Sequence, residues 1–231
     1  MKKVLIVSAH PEKASFCMSL KQTAVNSFLM KGYEVMESDL YAMHFDPVGN
    51  RSDFKSINNP DFFKYQLEQV HANENDLFVD VLKTEMEKLE WCDILIFSFP
   101  LWWFGMPAIL KGWVDRVFAM GFVYGAGKGV YENGIYPDKT AFITLTTGGP
   151  LQAYGPNGKN GDLNSILFPI HHGVFYFTGM TVLPPFISFG PARSTVDDLN
   201  EEIKRHKEYL NNIDHLKPIY SNRDDNSLLR L

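Results

Sequence analysis

Short, uninterrupted runs of apolar residues alternate along this chain with longer stretches of helical spacing. Residues 4–8 and 93–99 are apolar runs bounded by turn residues, as expected of strands buried on both faces. Further strand-like segments lie at residues 33–41, 139–147 and 181–189. Helical patterns occupy residues 15–31, 76–91, 107–119, 164–178 and 195–213. Strands that alternate with helices form right-handed βαβ units and hence a parallel sheet covered on both faces.

Five strands in this pattern predict one α/β architecture. It is a doubly wound, five-stranded parallel sheet with the flavodoxin-like strand order 2-1-3-4-5 and helices on both faces. The 231 residues suit one large domain, which we predict to cover residues 1–215, followed by a C-terminal tail at 216–231. Residues 43–76 are polar and irregular and predict an excursion with short helices.

Charge and cysteine content exclude several classes of protein. The net charge is −5 and no run of Lys or Arg occurs, which argues against a nucleic-acid partner. Cys17 and Cys92 form no CxxC motif, so we expect no disulfide framework and a reducing compartment. The apolar run at residues 4–7 is too short for a signal peptide, and no window is long enough to span a membrane. We therefore predict a cytoplasmic protein without membrane insertion.

Ligands of such folds bind at the carboxyl ends of the strands, where the strand order reverses. Three loops are predicted to meet there, at residues 8–16, 99–107 and 147–162. The second of them follows Pro100 with the sequence Leu101, Trp102, Trp103 and Phe104. Large rings at a turn are costly to leave in water, so this motif predicts a flat, apolar ligand that covers them.

The first loop has neither the GxGxxG nor the P-loop pattern. It offers His10, Ser15 and the free amides of the following helix, which together suit a pyrophosphate. The alternative interpretation is an N-cap serine beside a surface histidine.

The loop after the fourth strand carries Thr146, Thr147, Gly148 and Gly149. The glycine pair lets the backbone approach a flat ligand closely, although isolated glycines are also typical of mobile surface loops. Three ligand-type features at one sheet edge favour a binding site. The adjacent His171 and His172 lack metal-ligand spacing on a helix and are interpreted as packing or interface residues; no metal is expected.

Several stretches, in order along the chain, resemble the NAD(P)H quinone dehydrogenase family of flavodoxin-like, FAD-dependent quinone reductases. They are KKVLIVSAHPEKASF, ESDLYAM, FPLWWFGMPAILKGWVDRV, TTGG and LFPIHHGVFYFTG. The resemblance implies an NAD(P)H:quinone oxidoreductase that transfers a hydride from reduced nicotinamide through bound flavin to a quinone, with ping-pong kinetics. It also implies a homodimer with one FAD per subunit, FMN being the less expected cofactor, and two sites at the dimer interface.

The family's functional positions map onto residues of this chain. The resemblance assigns the pyrophosphate and ribose to the first loop, the flavin ring to the second and third, and Tyr154 to the edge of the flavin pyrimidine. The implied cofactor-binding residues are His10, Ser15, Phe16, Cys17, Met18, Ser19, Pro100, Leu101, Trp102, Trp103, Phe104, Thr146, Thr147, Gly148, Gly149 and Tyr154. Tyr124 and Phe177 match the aromatic wall where nicotinamide and quinone take turns.

The implied catalytic group consists of the Gly148 and Gly149 amides, the Tyr154 hydroxyl and Asn160, which also faces the substrate. The donors would stabilise the charge of reduced flavin. Asn160 stands where a better-known relative has a histidine, so the choice among NADH, NADPH and smaller nicotinamide donors stays open. Three further departures are Lys64 in place of a glutamine, Tyr176 in place of a metal-binding histidine, and Ala192 and Leu199 where charged residues reach the FAD.

A second hypothesis belongs to a different class. Related proteins of this fold serve as ancillary, regulatory flavoprotein subunits of potassium efflux systems and would have a membrane transporter as partner. Their ring-binding motifs are similar, so the motifs alone do not separate the two hypotheses.

Overall fold

A computed structural model describes residues 1–155 and 157–221. Its centre is a parallel sheet of β1 (Lys3–Ser8), β2 (Glu34–Asp39), β3 (Ile94–Pro100), β4 (Thr140–Thr147), β5 (Thr181–Val182) and β6 (Phe186–Phe189). The strand order is β2-β1-β3-β4-β5, and β6 also pairs with β4. The predicted flavodoxin-like order is thereby confirmed, with all registers parallel.

The predicted fifth strand over residues 181–189 is wrong in one respect, because it is two strands. Thr181 pairs with Thr140 at the start of β4, and Phe186 pairs with Thr144 further along it. The break falls on two consecutive prolines, which fix φ and have no N–H to give to the ladder. The second short strand carries the chain to the carboxyl edge of the sheet.

Helices cover both faces of the sheet: α1 (Phe16–Met30), α2 (Tyr65–Asn75), α3 (Asp80–Trp91), α4 (Ala108–Val117), α5 (Leu163–Ile170) and α6 (Val196–Asn211). α1 and α6 pack together on one face, over a core that includes Val4, Ile6 and Phe142. The alternate residues Leu5 and Val7 face the core beneath α3 and α4. Both faces of the central strands are therefore buried, and this is why their sequences are unbroken apolar runs.

The predicted helix at residues 164–178 is not uniform. α5 contains Pro169, and beyond Ile170 the chain continues as a π-helical turn, His171–Phe175, and a 3₁₀ turn, Tyr176–Thr178. Proline lacks the N–H for the i−4 carbonyl, and wider turns of this kind occur frequently at functional sites. The turn brings Phe177 against Tyr124.

A buried ion pair links the polar segment at residues 43–76 to α4. Arg116 donates from Nη2 to Asp53 Oδ1 at 2.8 Å and from Nε to Asp53 Oδ2 at 3.2 Å. Tyr65, at the start of α2, donates its hydroxyl to Asp53 Oδ2 at 2.5 Å. Both charged side chains are buried, so each depends on the other for compensation.

The chain beyond α6 returns to the sheet. The Ile219 amide donates to Val182 O at 2.7 Å, and Tyr220 bridges Val182 in antiparallel sense. Residues 222–231, most of the predicted tail, lie outside the described residues, and the boundary at residue 215 stays a prediction. Within residues 1–155 and 157–221, no helix is long and apolar enough to cross a membrane.

Candidate active site

A cavity of about 430 Å³ opens at the carboxyl ends of β1, β3 and β4. Its size is within the range of small-molecule sites. It is lined by His10, Ser15, Phe16, Cys17, Pro100, Leu101, Trp102, Thr146, Thr147, Gly148, Pro191, Ala192 and Leu199. The structure thus brings the three predicted loops together at one site and adds the segment that follows β6.

The α1 end of the cavity is built to receive an anion. Ser15 caps the helix by accepting the Met18 amide on Oγ at 3.3 Å, while the amides of Phe16 and Cys17 belong to the unsatisfied first turn. His10 Nδ1 lies 3.0 Å from the Glu12 amide nitrogen and 3.1 Å from the Glu12 carbonyl oxygen, and these contacts hold the ring beside the helix end. A helix N-terminus and an imidazole ring therefore lie together at this part of the cavity.

Two of the four predicted residues of α1 do not line the cavity. Met18 is buried in the helix packing, and Ser19 turns its hydroxyl to the Ser15 carbonyl at 3.3 Å. Cys17 lines the floor, but burial raises the pKa of its thiol to about 12. The thiol is therefore protonated at neutral pH and poorly nucleophilic.

The rim of the cavity is a strained aromatic turn. Trp102 and Gly105 exchange backbone hydrogen bonds at 3.2 and 3.0 Å, which forces Trp103 and Phe104 to left-handed φ values of 49° and 59°. Side chains are costly in this conformation. The turn leaves Trp102 41%, Trp103 98% and Phe104 50% exposed. Strain and uncovered ring surface at the mouth of a cavity both indicate a ligand or subunit contact.

The predicted catalytic group is brought together around Gly149. The Tyr154 hydroxyl bonds Thr147 Oγ1, which also accepts the Gly149 amide at 3.4 Å. A Cβ on Gly149 would lie 2.9 Å from Asn160 Nδ2 and 3.0 Å from the Tyr154 hydroxyl, so a larger residue would displace these two side chains. A Cβ on Gly148 would meet nothing within 4 Å, because this residue faces open space.

The predicted substrate wall lies apart from the cavity within one chain. Tyr124 and Phe177 meet edge-to-face with ring centroids 5.7 Å apart, but neither lines the cavity, and neither does Lys64. Sequence reasoning missed Tyr131, whose ring packs against Phe177 at 5.4 Å and 85°. It also missed Gln66, which donates to the Tyr124 hydroxyl at 3.0 Å.

The segment after β6 supplies a further group of neighbours. Ala192 and Leu199, noted as departures from the family pattern, do line the cavity, as does Pro191. Arg193, which no sequence motif singled out, donates from Nη2 to the Gly148 carbonyl. The Gly190 amide donates to the Thr147 carbonyl at 2.7 Å, so this segment supports the glycine loop from behind.

The adjacent histidines lie in packed surroundings. Burial lowers the pKa of His171 to about 4, and His172 stacks on Phe168 with centroids 4.7 Å apart. Tyr176 and Tyr220 pack around His172 at 5.8 and 5.4 Å. The described part of the chain contains no group of three or more His, Cys, Asp or Glu that could hold a metal.

Known proteins share this sequence and this fold. A family model for the flavodoxin-like fold matches residues 2–213. NAD(P)H dehydrogenase (quinone) 1 of Cavia porcellus is 41% identical over 95% of this chain and 80% of its own length. Ribosyldihydronicotinamide dehydrogenase (quinone) of Rattus norvegicus is 40% identical over 95% of both chains. A Klebsiella pneumoniae structure assigned as a quinone reductase superposes with a TM-score of 0.92, at 36% identity, over 97% of this chain and 91% of its own.

Fold and sequence identity together define a flavodoxin-like oxidoreductase. The chain belongs to the NAD(P)H quinone dehydrogenase family and is an enzyme of that kind. The named relatives are dehydrogenases and reductases, so they do not support the hypothesis of an ancillary transporter subunit.

Proposed function

We propose that this enzyme carries electrons from NAD(P)H to a quinone through an FAD held in the cavity at the carboxyl edge of the sheet. The proposal rests on one observation, which is that three features suited to a flavin line the same cavity. A helix N-terminus with His10, the glycine loop at Gly148 and the exposed Trp102 turn line the same cavity, and the His10 and Trp102 rings lie 6.3 Å apart. An elongated cofactor with an anionic middle and a flat aromatic end suits that arrangement.

The residues present fit a flavin. The α1 amides and the His10 ring would hold the pyrophosphate, and the exposed rings of Trp103 and Phe104 would be covered by the flavin ring. Bound flavin supplies the capacity to accept and pass on a hydride. The protein supplies position, polarity and the exclusion of water.

The donors around Gly149 are arranged before the reaction begins. Thr147 Oγ1 holds both the Tyr154 hydroxyl and the Gly149 amide, and Asn160 lies against the same glycine. Preorganised donors stabilise developing negative charge without reorganisation during the reaction. Asn160 donates hydrogen bonds through its amide but does not exchange a proton near neutral pH, so it acts in this group only as a hydrogen-bond donor.

A second copy of the chain completes the substrate wall in this proposal. Tyr124 and Phe177 do not line the cavity of their own chain, so we infer that they close the cavity of a partner in a homodimer. Nicotinamide and quinone would then use the same space in turn, which gives ping-pong kinetics.

The first test is the cofactor. The purified protein should be yellow and release about one FAD per chain on denaturation. A colourless protein that takes up neither FAD nor FMN would contradict the proposal, whereas bound FMN would correct only the cofactor.

The second test is the shared site, measured by mixing two inactive variants. The Gly149→Ala variant is inactivated in the cavity that binds the cofactor. The Phe177→Ala variant is inactivated in the substrate wall that it would supply to the partner. If each site uses both chains, one site in each mixed dimer is intact, and a 1:1 mixture should recover roughly a quarter of wild-type activity. No recovery in verified mixed dimers, or a monomer mass by light scattering at micromolar concentration, would refute a shared site.

A further inference from the structure

The Arg193 side chain connects the loop that contains Gly148 and Gly149 to the segment that follows β6. The side chain lies in the 3₁₀ turn Pro191–Arg193, and its Nη2 donates to the Gly148 carbonyl. The turn is itself closed by the Arg193 amide, which donates to Gly190 O at 2.9 Å. Since the Gly190 amide also donates to Thr147 O, two consecutive carbonyls of the loop are held from the same side.

This contact selects one orientation of the peptide between Gly148 and Gly149. In a trans peptide the carbonyl and the N–H point in opposite directions. A Gly-Gly peptide has no Cβ on either side, so both orientations are sterically open to it. With the carbonyl held by Arg193, the Gly149 N–H donates to Thr147 Oγ1, the same oxygen that bonds the Tyr154 hydroxyl.

The contact also brings a positive charge to this edge of the cavity. Among the described residues that line the cavity there is no lysine or arginine. Arg193 is bonded directly to a lining residue, and a charge-assisted hydrogen bond is stronger than a neutral one. A cation held at this edge favours negative charge that develops on a cofactor bound there.

We propose that Arg193 is a positioning residue that fixes the Gly148–Gly149 peptide, and with it the Thr147 and Tyr154 hydroxyls, and that its charge raises the midpoint potential of the bound cofactor. The inference rests on the proposed function, since it requires a flavin beside Gly148. Arg193 acts through the peptide and not by touching the substrate. It therefore sets how strongly the site prefers the reduced over the oxidised cofactor.

The test compares midpoint potentials of flavin-loaded variants by spectroelectrochemistry. Arg193→Met should weaken the preference for reduced flavin about tenfold, which lowers the two-electron midpoint by about 30 mV. Arg193→Lys keeps a charged donor and should recover at least half of the difference. Arg51→Met is the matched control, because Arg51 also donates to a backbone carbonyl, Pro60 O at 3.3 Å, but Pro60 does not line the cavity.

Each outcome decides between a positioning role and a merely structural one. The proposal expects the affinity of Arg193→Met for oxidised flavin to stay within about threefold of wild type. An unchanged midpoint in Arg193→Met, or an equal shift in Arg51→Met, overturns it. Should Arg193→Met fail to fold, Arg193→Gln keeps a donor without the charge, and an unchanged midpoint in that variant overturns the role of the charge. A wild-type protein that binds no flavin overturns the proposed function instead.

Discussion

Replacement of Trp103 by alanine should separate cofactor binding from folding. Because the side chain is 98% exposed, its removal takes almost no buried area from the folded chain. The free energy of unfolding should therefore change by less than about 0.5 kcal/mol, as for other surface substitutions.

The loss in flavin affinity should be much larger. A stacked indole covers one face, roughly half of the 150–250 Å² that an aromatic side chain buries, or about 100 Å². At about 25 cal/mol per Å² this area contributes about 2.5 kcal/mol. Stacking geometry adds on the order of 0.5–1 kcal/mol, so Trp103→Ala should raise the FAD dissociation constant roughly 200-fold.

Two matched variants make the assay specific. Trp113 is fully buried and donates its indole N–H to Glu85 at 2.8 Å, so Trp113→Ala should lower the free energy of unfolding by about 3–5 kcal/mol. Trp103→Gly removes the same ring as Trp103→Ala but also relaxes the left-handed φ of 49°, so it should be the more stable of the two by about 1 kcal/mol.

The measurements are fluorescence titration of apoprotein with FAD and urea unfolding of the same samples. Wild-type affinity and turnover in Trp103→Ala would refute the stacking argument. A dimer that dissociates while affinity per chain is kept would assign the ring to the subunit contact instead.

Three other outcomes are expected. Tyr154→Phe should slow anaerobic flavin reduction about tenfold in stopped flow and leave flavin binding nearly intact; reduction at the wild-type rate would contradict its role. Arg116→Met leaves the Asp53 carboxylate buried without its cation and should cost about 3–5 kcal/mol in urea unfolding; a cost below 1 kcal/mol would contradict this. Burial lowers the pKa of His206 to about 3 from 6.5, so the unfolded chain binds the extra proton first. The urea midpoint should accordingly fall as pH drops from about 6.5 to 4, with a shallower slope in His206→Gln; equal slopes would contradict the assignment.

The local sequence pattern was sufficient to predict the order of the helices and strands and most of their bounds. The run at residues 4–8 reads as a strand because β1 is buried on both faces, and α1 begins at its serine cap as predicted. The split of the last strand was also visible in principle, since its two prolines stand in the sequence. The apolar residues on either side of the prolines predict one strand, but the two missing N–H donors interrupt the ladder between them.

Helix α5 shows a structural feature that the local sequence pattern does not predict. Its spacing predicts a helix through residue 178, but the change to a π-helical turn depends on Pro169 and on how His171 and Phe175 pack in the core. No periodicity of a single segment reports such packing. The same holds for Asp53 and Arg116, whose pairing joins segments 63 residues apart.

The sequence by itself therefore determined the class of fold, the edge of the sheet where a ligand would lie, and the chemistry of three loops. These follow from hydrogen-bonding periods and burial, which are local properties of the chain. Tertiary structure decided that Gly149 packs between Tyr154 and Asn160 and that Tyr124 lies outside the cavity of its own chain. It also decided that Arg193 reaches Gly148 across 45 residues. Such contacts depend on how helices and strands pack against each other, and no short stretch of sequence specifies that packing.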